Sequence, residues 1–159
     1  MSLYLDIETG RDGRMTVIGF YHETSGMVQL TGNEISRTAL VELLPDRCPL
    51  FTYNGHCFDL RVIRDQLGVD LRQEFESYDL RWICQRHGLT GGLKAVERTL
   101  GISRDLSNVN GMDAMRLWYE YEQGSHSALA VLLKYNREDV MNLVELRHHL
   151  ERRNLFCLH

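Results

Sequence analysis

The chain has 159 residues, of which 43% are hydrophobic and 25% are charged, and its formal net charge is −4. These values are ordinary for a soluble globular protein and exclude a disordered or fibrous chain. A domain of this length buries roughly two-thirds of its unfolded surface, so we expect one compact domain over residues 1–159. Because proteins that bind nucleic acid over their whole surface are usually basic, any polyanion site here must be local.

The four cysteines form no CxxC pair and have no ligand spacing with histidine, which argues against a zinc site and against a redox pair. We expect them to be reduced thiols. The first residues lack the basic and apolar regions of a signal peptide, and no apolar run is long enough to span a bilayer. The sequence therefore predicts a cytoplasmic protein with no membrane partner.

The first part of the chain predicts three strands joined by tight turns. Apolar runs separated by Gly-Arg-Asp-Gly and Glu-Thr-Ser-Gly cover residues 3–7, 15–21 and 27–30. Strands with such short connections form an antiparallel meander. Ser36 then predicts the cap of a helix, and residues 50–53 predict a fourth strand.

The rest of the chain is predicted to be mainly helical. Apolar residues at helical spacing cover residues 58–67, 80–87, 93–100, 113–122 and 128–152. Residues 77–79 predict a fifth strand, Asp113 predicts a helix cap, and residues 103–111 predict a loop near the surface. This order predicts an α/β protein with a five-stranded mixed sheet, three strands antiparallel and the others parallel, and with helices on both faces.

Two carboxylates, Asp6 and Glu8, lie two residues apart on the first predicted strand and therefore point to the same face. Like charges this close are unfavourable unless a cation binds between them. The solvated face of an edge strand explains such a pair more often than a functional site does. The pair is therefore weak evidence by itself.

A second motif, Tyr53-Asn54-Gly-His-Cys-Phe58-Asp59, falls where a predicted strand gives way to a helix. Asp59 would lie in the first turn of that helix, where the helix dipole favours a negative charge. Capping of the helix would explain this residue equally well. Phenylalanine at the position of Phe58 is more often a core residue than a stacking platform for a base.

A third motif places Tyr135 and Asp139 four residues apart on the last predicted helix, and so on one face of it. They could be neighbours there without any joint function. Glu138 lies at a different angle, and we expect it to face solvent.

In this order, the three motifs resemble those of DnaQ-like 3′–5′ exonucleases of the ribonuclease H-like fold, in the DEDDy subgroup with four acids and a tyrosine. The resemblance runs from Leu5 to about Val144. It is greatest to the YprB-like branch, in the segments Leu5-Asp-Ile-Glu-Thr, Thr16-Val-Ile-Gly, Tyr53-Asn-Gly, Leu93-Lys-Ala-Val-Glu-Arg98 with Leu100-Gly101, and Tyr135-Asn-Arg-Glu-Asp-Val140. Lys134 stands where a related subgroup has histidine, which excludes that variant.

The first motif departs from the family pattern. It reads Glu-Thr-Gly-Arg, where relatives commonly have Glu-Thr-Thr-Gly-Leu. An apolar side chain that would approach the terminal base is therefore missing or displaced. The departure concerns how the substrate is held and leaves the metal-binding residues unchanged.

The resemblance implies a two-metal mechanism with Mg²⁺ or Mn²⁺ ions about 3.5–4 Å apart around the scissile phosphate. Oxygen ligands suit these hard cations better than zinc. Asp6 would bridge both ions, Glu8 and Asp139 would complete the site of the ion that carries the nucleophile, and Asp59 would act on the other ion mainly through water. Tyr135 would orient the attacking water, because a phenol with a pKa of about 10 is a poor base at neutral pH.

The expected substrate is a single-stranded 3′ end of DNA or RNA, between which these residues do not decide. Four residues are candidates to contact it: Thr9, Asn54, Phe58 and Lys94. Arg98 lies one helical turn from Lys94, so both could meet phosphates, although a solvated helix surface explains them equally well. Processivity would need a protein partner or an oligomer.

Two other functions fit the same fold. One is a nucleic-acid-binding module that has lost turnover, against which the presence of all five expected side chains argues. The other is an endonuclease of the ribonuclease H kind, over which the Tyr135 and Asp139 pair favours an exonuclease.

Overall fold

The computed structural model describes residues 1–158 and is built around a five-stranded sheet of order β3-β2-β1-β4-β5. The strands are β1 (Leu3–Thr9), β2 (Met15–His22), β3 (Gly26–Thr31), β4 (Pro49–Thr52) and β5 (Glu76–Asp79). The first three pair antiparallel, while β4 runs parallel to both β1 and β5. The predicted mixed sheet is confirmed.

Within the described residues, seven α-helices surround the sheet: α1 (Arg37–Leu43), α2 (Asp59–Leu67), α3 (Leu71–Glu74), α4 (Leu80–Arg86), α5 (Leu93–Leu100), α6 (Gly111–Glu122) and α7 (His126–Arg152). The short helix α3 and a 3-10 turn at Gly32–Glu34 were not predicted, because neither is long enough to show a hydrophobic period. Ser36 caps α1 as predicted, its hydroxyl accepting from the backbone N–H of Ala39 at 3.1 Å.

The predicted cap of α6 is wrong. This helix begins at Gly111, and the side chain of Asn110 accepts from the backbone N–H groups of Met112 and Asp113. Asp113 supplies the other half of a capping box, since its carboxylate accepts from the N–H of Asn110 at 3.0 Å. Residues 102–110, between α5 and α6, contain no regular secondary structure, in agreement with the predicted loop.

The alternation of side chains along β1 divides the core between the two faces of the sheet. Leu3, Leu5 and Ile7 pack in one hydrophobic cluster with residues of α1, α2 and α3. Tyr4 belongs to the opposite face, where residues of α4, α5 and α7 form a second cluster. Helices therefore cover both faces, as predicted.

The longest helix, α7, has 27 residues and packs across β1 and β2. Ser125 caps it by accepting from the N–H of Ala128 at 3.3 Å. Asp6 and Glu8 alternate with the core residues of β1 and point to the face that α7 covers. Within residues 1–158, no helix combines the length and the apolar composition that a membrane span requires.

Candidate active site

Three carboxylates meet where α7 crosses β1. Asp6, Glu8 and Asp139 each offer a ligand oxygen, and these oxygens all lie within 4.8 Å of one another. Asp6 and Glu8 come from one face of β1, and Asp139 comes from the middle of α7. The pair on β1 is therefore not the solvated side of an edge strand, since β1 is the central strand and Glu8 is buried.

Burial and mutual repulsion make this cluster unfavourable when all three groups are charged. Burial, followed by the charge of Asp139, holds the pKa values of Asp6 and Glu8 well above their usual range. Burial also raises the pKa of Asp139 to about 6, although Arg104 acts in the opposite direction. A cation would remove the repulsion.

One further observation fits a cation. Glu8 Oε1 is buried and has no hydrogen-bond partner among the residues that the structure describes. Buried acceptors are normally satisfied, so an unpartnered carboxylate oxygen beside two other carboxylates calls for a ligand. The donor set consists only of oxygens, which suits Mg²⁺ or Mn²⁺. These residues therefore fit the divalent cations that the sequence predicts.

Asp59 lies beside this group without belonging to it. It occupies the first turn of α2, as expected, and its Oδ1 accepts from the backbone N–H of Ile7 at 2.9 Å. Burial raises its pKa to about 7. The bond to Ile7 on β1 therefore holds Asp59 close to the acid cluster.

The connection between β4 and α2 is held by Asp79, which the sequence analysis did not single out. Its buried carboxylate accepts from the backbone N–H groups of Asn54 at 2.7 Å and His56 at 3.2 Å. It also caps α4 through the N–H of Arg81 at 3.1 Å. Its position at the end of the predicted fifth strand was the available signal. Asp79 thereby fixes the segment that leads to Asp59.

Asn54, predicted to contact substrate, has its side-chain oxygen bonded to Arg81 Nη1 at 2.7 Å. Its φ of 63° is left-handed, a conformation that asparagine adopts more readily than most residues. Gly55 follows it where a Cβ would overlap the side chain of Thr52. Asn54 and Gly55 therefore determine the conformation of the turn between β4 and α2.

Asn136 is a second residue that the sequence analysis missed. Its fully buried amide donates to the backbone oxygen of Asp6 at 3.2 Å and to Asp6 Oδ2 at 3.1 Å. Gln29 donates to Asn136 Oδ1 at 3.0 Å, so the amide is held from both sides. Gly19 pairs with Asp6 across the sheet, and a Cβ there would overlap Asn136. The available sequence signal was its place in the segment Tyr135-Asn-Arg-Glu-Asp-Val140.

Tyr135 is buried beside Asp139, one turn away on α7. Burial and the neighbouring carboxylates raise its pKa, so the phenol is neutral at physiological pH. Lys94 Nζ lies 4.7 Å from the centroid of the ring, and the guanidinium carbon of Arg104 lies 5.8 Å from it. The positively charged side chains of Lys94 and Arg104 thus both face the ring of Tyr135.

The expectation that Glu138 faces solvent is wrong. Its carboxylate accepts from the backbone N–H groups of Asp105 at 2.8 Å and Leu106 at 3.1 Å. The loop between α5 and α6 folds back onto α7, and this long-range contact is not visible in the sequence. The same loop brings Arg104 to Asp139, at 2.5 Å between Nη2 and Oδ1.

The other candidate substrate-binding residues differ in solvent exposure. Thr9 is half-buried, and the pairing of β1 with β2 shifts register between Glu8 and Thr9. Phe58 is 41% exposed, so it does not take the core position that is usual for phenylalanine. Lys94 is half-buried, and its Nζ has no hydrogen-bond partner among residues 1–158. Arg98 is exposed.

Comparison with known proteins identifies the fold. A family model described as RNase_H superfamily matches residues 3–151, nearly the whole chain. The chain belongs to the RNase H superfamily. No curated protein sequence matches this RNase H superfamily protein.

Two solved structures share the RNase H-like fold of this protein. One is the family B DNA polymerase from the hyperthermophilic archaeon Pyrobaculum calidifontis, with a TM-score of 0.75 and 15% identity over 97% of this chain. The RNase H superfamily chain spans 25% of the length of that polymerase. The other, described as the apo form of a nuclease, has a TM-score of 0.63 and 19% identity, covering 98% of this chain and 75% of its own. At these identities the similarity shows the fold alone.

Proposed function

We propose that this protein is a metal-dependent 3′–5′ exonuclease that hydrolyses phosphodiester bonds at the 3′ end of single-stranded nucleic acid. We further assign it to the DEDDy subgroup, near the YprB-like branch. The observation that carries the proposal is the meeting of Asp6, Glu8 and Asp139 at the crossing of β1 and α7, with Tyr135 one turn away. Membership of the RNase H superfamily supports nuclease chemistry at such a cluster.

We assign the four acids different roles in binding two divalent cations. Asp6, Glu8 and Asp139 would provide the inner ligands, and Asp59 would contribute mainly through water because one of its oxygens is bonded to Ile7. When bound, such cations supply an activated water and stabilise the leaving oxygen. Asn136 holds Asp6 in the orientation that this role requires.

Tyr135 acts as a neutral hydrogen-bonding group. Its raised pKa rules out a phenolate at neutral pH, so its hydroxyl positions the attacking water and does not deprotonate it. Lys94 lies over the ring and limits its movement. A phenol held in place before substrate arrives would lower the entropic cost of reaching the reactive geometry.

Four residues are proposed to hold the terminal nucleotides. The exposed ring of Phe58 offers a stacking surface next to Asp59, and Thr9 lies one residue beyond the acid pair. Lys94 contributes positive charge beside the acids, and Asn54 fixes the turn that presents Phe58. The guanidinium carbon of Arg11, in the altered turn of the first motif, lies 5.0 Å from the ring centroid of the exposed Tyr119.

The test is release of mononucleotides from end-labelled single strands in the presence of Mg²⁺ or Mn²⁺. DNA and RNA of the same sequence are compared, since the residues do not distinguish them. We expect cleavage of a strand with a free 3′ end and none of a circular or 3′-blocked strand. Cleavage of the circle would indicate an endonuclease of the ribonuclease H kind.

Loss of turnover is the second alternative, and the same experiment addresses it. A protein that binds the strands but releases no nucleotide with either cation and either polymer would be a binding module. Asp6→Asn serves as the matched inactive control, because it keeps the size of the side chain while removing a charge from the cluster. Equal activity in this variant would indicate a contaminating nuclease.

A further inference from the structure

Arg104 is buried in the loop between α5 and α6, with a side chain that is only 3% exposed. Its Nε donates to Glu97 Oε2 at 2.9 Å, and its Nη2 donates to Glu97 Oε1 at 2.6 Å. The same Nη2 also donates to Asp139 Oδ1 at 2.5 Å. One guanidinium therefore joins a metal-ligand candidate on α7 to a buried acid on α5.

Glu97 also accepts a hydrogen bond from a residue of α7. Its carboxylate is 2% exposed and accepts from Asn142 Nδ2 at 3.0 Å. Asn142 lies one turn after Asp139 on α7 and also donates to the backbone oxygen of Ser103 at 3.3 Å. Because a bidentate pair fixes the plane of the guanidinium, Glu97 determines the direction from which Arg104 reaches Asp139.

Arg104 bonds Asp139 Oδ1, and Asp139 also offers a carboxylate oxygen within 4.8 Å of ligand oxygens of Asp6 and Glu8. A carboxylate held by a charge-assisted hydrogen bond at one oxygen presents the other oxygen in a defined direction. Ligands of bound metals are commonly oriented by such neighbours in proteins. Arg104 thus occupies the place of an orienting group for Asp139.

Contacts other than those of Arg104 also hold the loop to α7, and Arg104 Nη1 itself lies 4.0 Å from Glu138 Oε2. Glu138 already pins the loop to α7 by accepting from the backbone N–H groups of Asp105 and Leu106. A buried ion pair is in addition weak evidence for stability, because desolvation of the charges offsets their attraction. Replacing both Arg104 and Glu97 with apolar residues would remove this desolvation cost. We therefore expect the pair to have a role other than stability.

We propose that Arg104 is a positioning residue that aims the carboxylate of Asp139 at the bound cation, and that Glu97 fixes Arg104 for this task. The inference rests on the proposed function only in requiring that a divalent cation binds at Asp139. In this role Arg104, whose side chain is only 3% exposed, acts through Asp139.

The test is the affinity of the purified full chain for Mn²⁺, measured by calorimetry without nucleic acid. We expect Arg104→Met to weaken binding by about tenfold or more, in the range known for neighbours of metal ligands. Arg104→Lys should recover part of the affinity, since an ammonium can still bond Asp139. Arg116→Met removes an exposed arginine, paired with Asp113 and Glu120, and serves as the matched control with unchanged affinity.

The sign of the change separates positioning from simple electrostatics. Removing a positive charge beside an acid cluster would by itself strengthen cation binding. A purely structural arginine would lower the unfolding temperature and leave the affinity of the folded protein unchanged. Unchanged or tighter Mn²⁺ binding in Arg104→Met would therefore overturn the proposal.

Activity provides the second readout. We expect Arg104→Met to need more Mn²⁺ for half-maximal turnover, by about the same factor as the loss of affinity, and to keep the wild-type KM for the nucleic acid.

If Arg104→Met does not fold, Arg104→Lys and Glu97→Gln decide, and wild-type affinity in both overturns the proposal. A wild-type protein that binds Mn²⁺ but degrades no strand would refute the exonuclease while still testing Arg104. A wild-type protein that binds no Mn²⁺ would refute both.

Discussion

Asn136 donates one amide group to both the backbone oxygen and the carboxylate of Asp6, at 3.2 and 3.1 Å. The bond connects residues 130 positions apart in the chain and fixes α7 against β1 at the acid cluster. The room for it comes from Gly19, which lies opposite Asp6 in the sheet. Metal-site geometry and core packing are therefore coupled at this point.

Gly19→Ala is expected to damage both stability and activity. Its methyl group would displace the buried side chain of Asn136, and overpacking of this kind costs about 1–3 kcal/mol. Urea unfolding measures the stability, and Mn²⁺ calorimetry measures the site. The control is Gly111→Ala, because a Cβ at Gly111 meets no atom within 4 Å. A stable Gly19→Ala protein with wild-type Mn²⁺ affinity would refute this coupling.

Tyr135→Phe is expected to keep Mn²⁺ binding and to lower kcat by about 10²-fold or more, the usual contribution of a group that handles the attacking water. The ring and its contact with Lys94 remain in this variant, so only the hydroxyl is tested. The matched control is Tyr119→Phe, which changes an exposed phenol on α6. Single-turnover release of the terminal nucleotide gives the rate.

Asp139→Ala is expected to lose both metal binding and turnover, because it removes one of the three clustered ligands. Titration with Mn²⁺ should show fewer bound ions or a loss of affinity of about tenfold or more. Normal binding of two ions in this variant would contradict the assignment of Asp139. The exposed Asp46→Ala is the control, with no change expected in either measurement.

Without metal, the protein should lose stability as the pH rises. The folded pKa of Asp59 is about 7 and that of Asp139 about 6, above their usual value of 3.8, and those of Asp6 and Glu8 are also raised. A raised folded pKa means that the folded state holds protons more tightly, so this stability is present at low pH and is lost as the pH passes through the folded value. Each kcal/mol lost lowers the Tm by about 2–4 °C. Thermal unfolding in EDTA between about pH 5 and about pH 8 measures the decline.

The comparison variant for this pH profile is Asp6→Asn, which removes a clustered carboxyl whose pKa is raised by burial and by the charges of Asp139, Glu8 and Asp59. We expect a flatter profile and a higher Tm than wild type at about pH 8 in EDTA. An equal decline in both proteins would place the pH dependence elsewhere in the chain.

Added Mn²⁺ should reverse this loss at high pH. A ligand at about 100 times its Kd stabilises the folded state by about 2.7 kcal/mol, which corresponds to a rise in Tm of roughly 5–10 °C. The rise should be smaller at about pH 5, where protons compete for the same carboxylates. Asp139→Ala should show little rise at either pH. An equal rise in this variant would indicate binding outside the cluster.

Sequence patterns predicted those parts of the site that lie on regular elements. The spacing of Asp6 and Glu8 on a strand, and of Tyr135 and Asp139 on a helix, fixes which side chains share a face before any packing is known. The order of strands and helices likewise predicted the mixed sheet. Asp59 was placed correctly in the first turn of α2 because a strand ended just before it.

The residues whose roles the sequence did not predict act through tertiary contacts, which hydrophobic periodicity does not reveal. Arg104 lies in a loop without an apolar pattern, so its burial depends on how that loop folds back onto α7. Asn136 and Gly19 have a joint role only when α7 lies across β2. Glu138 was misplaced for the same reason, since its partners are backbone N–H groups of the loop.

The cluster draws Asp6 and Glu8 from β1 and Asp139 from α7, with the rest of the fold between them in sequence. A nascent chain that has released β1 but not α7 from the ribosome therefore cannot assemble the cation site. The proposed nuclease activity is expected only after α7 has packed against β1.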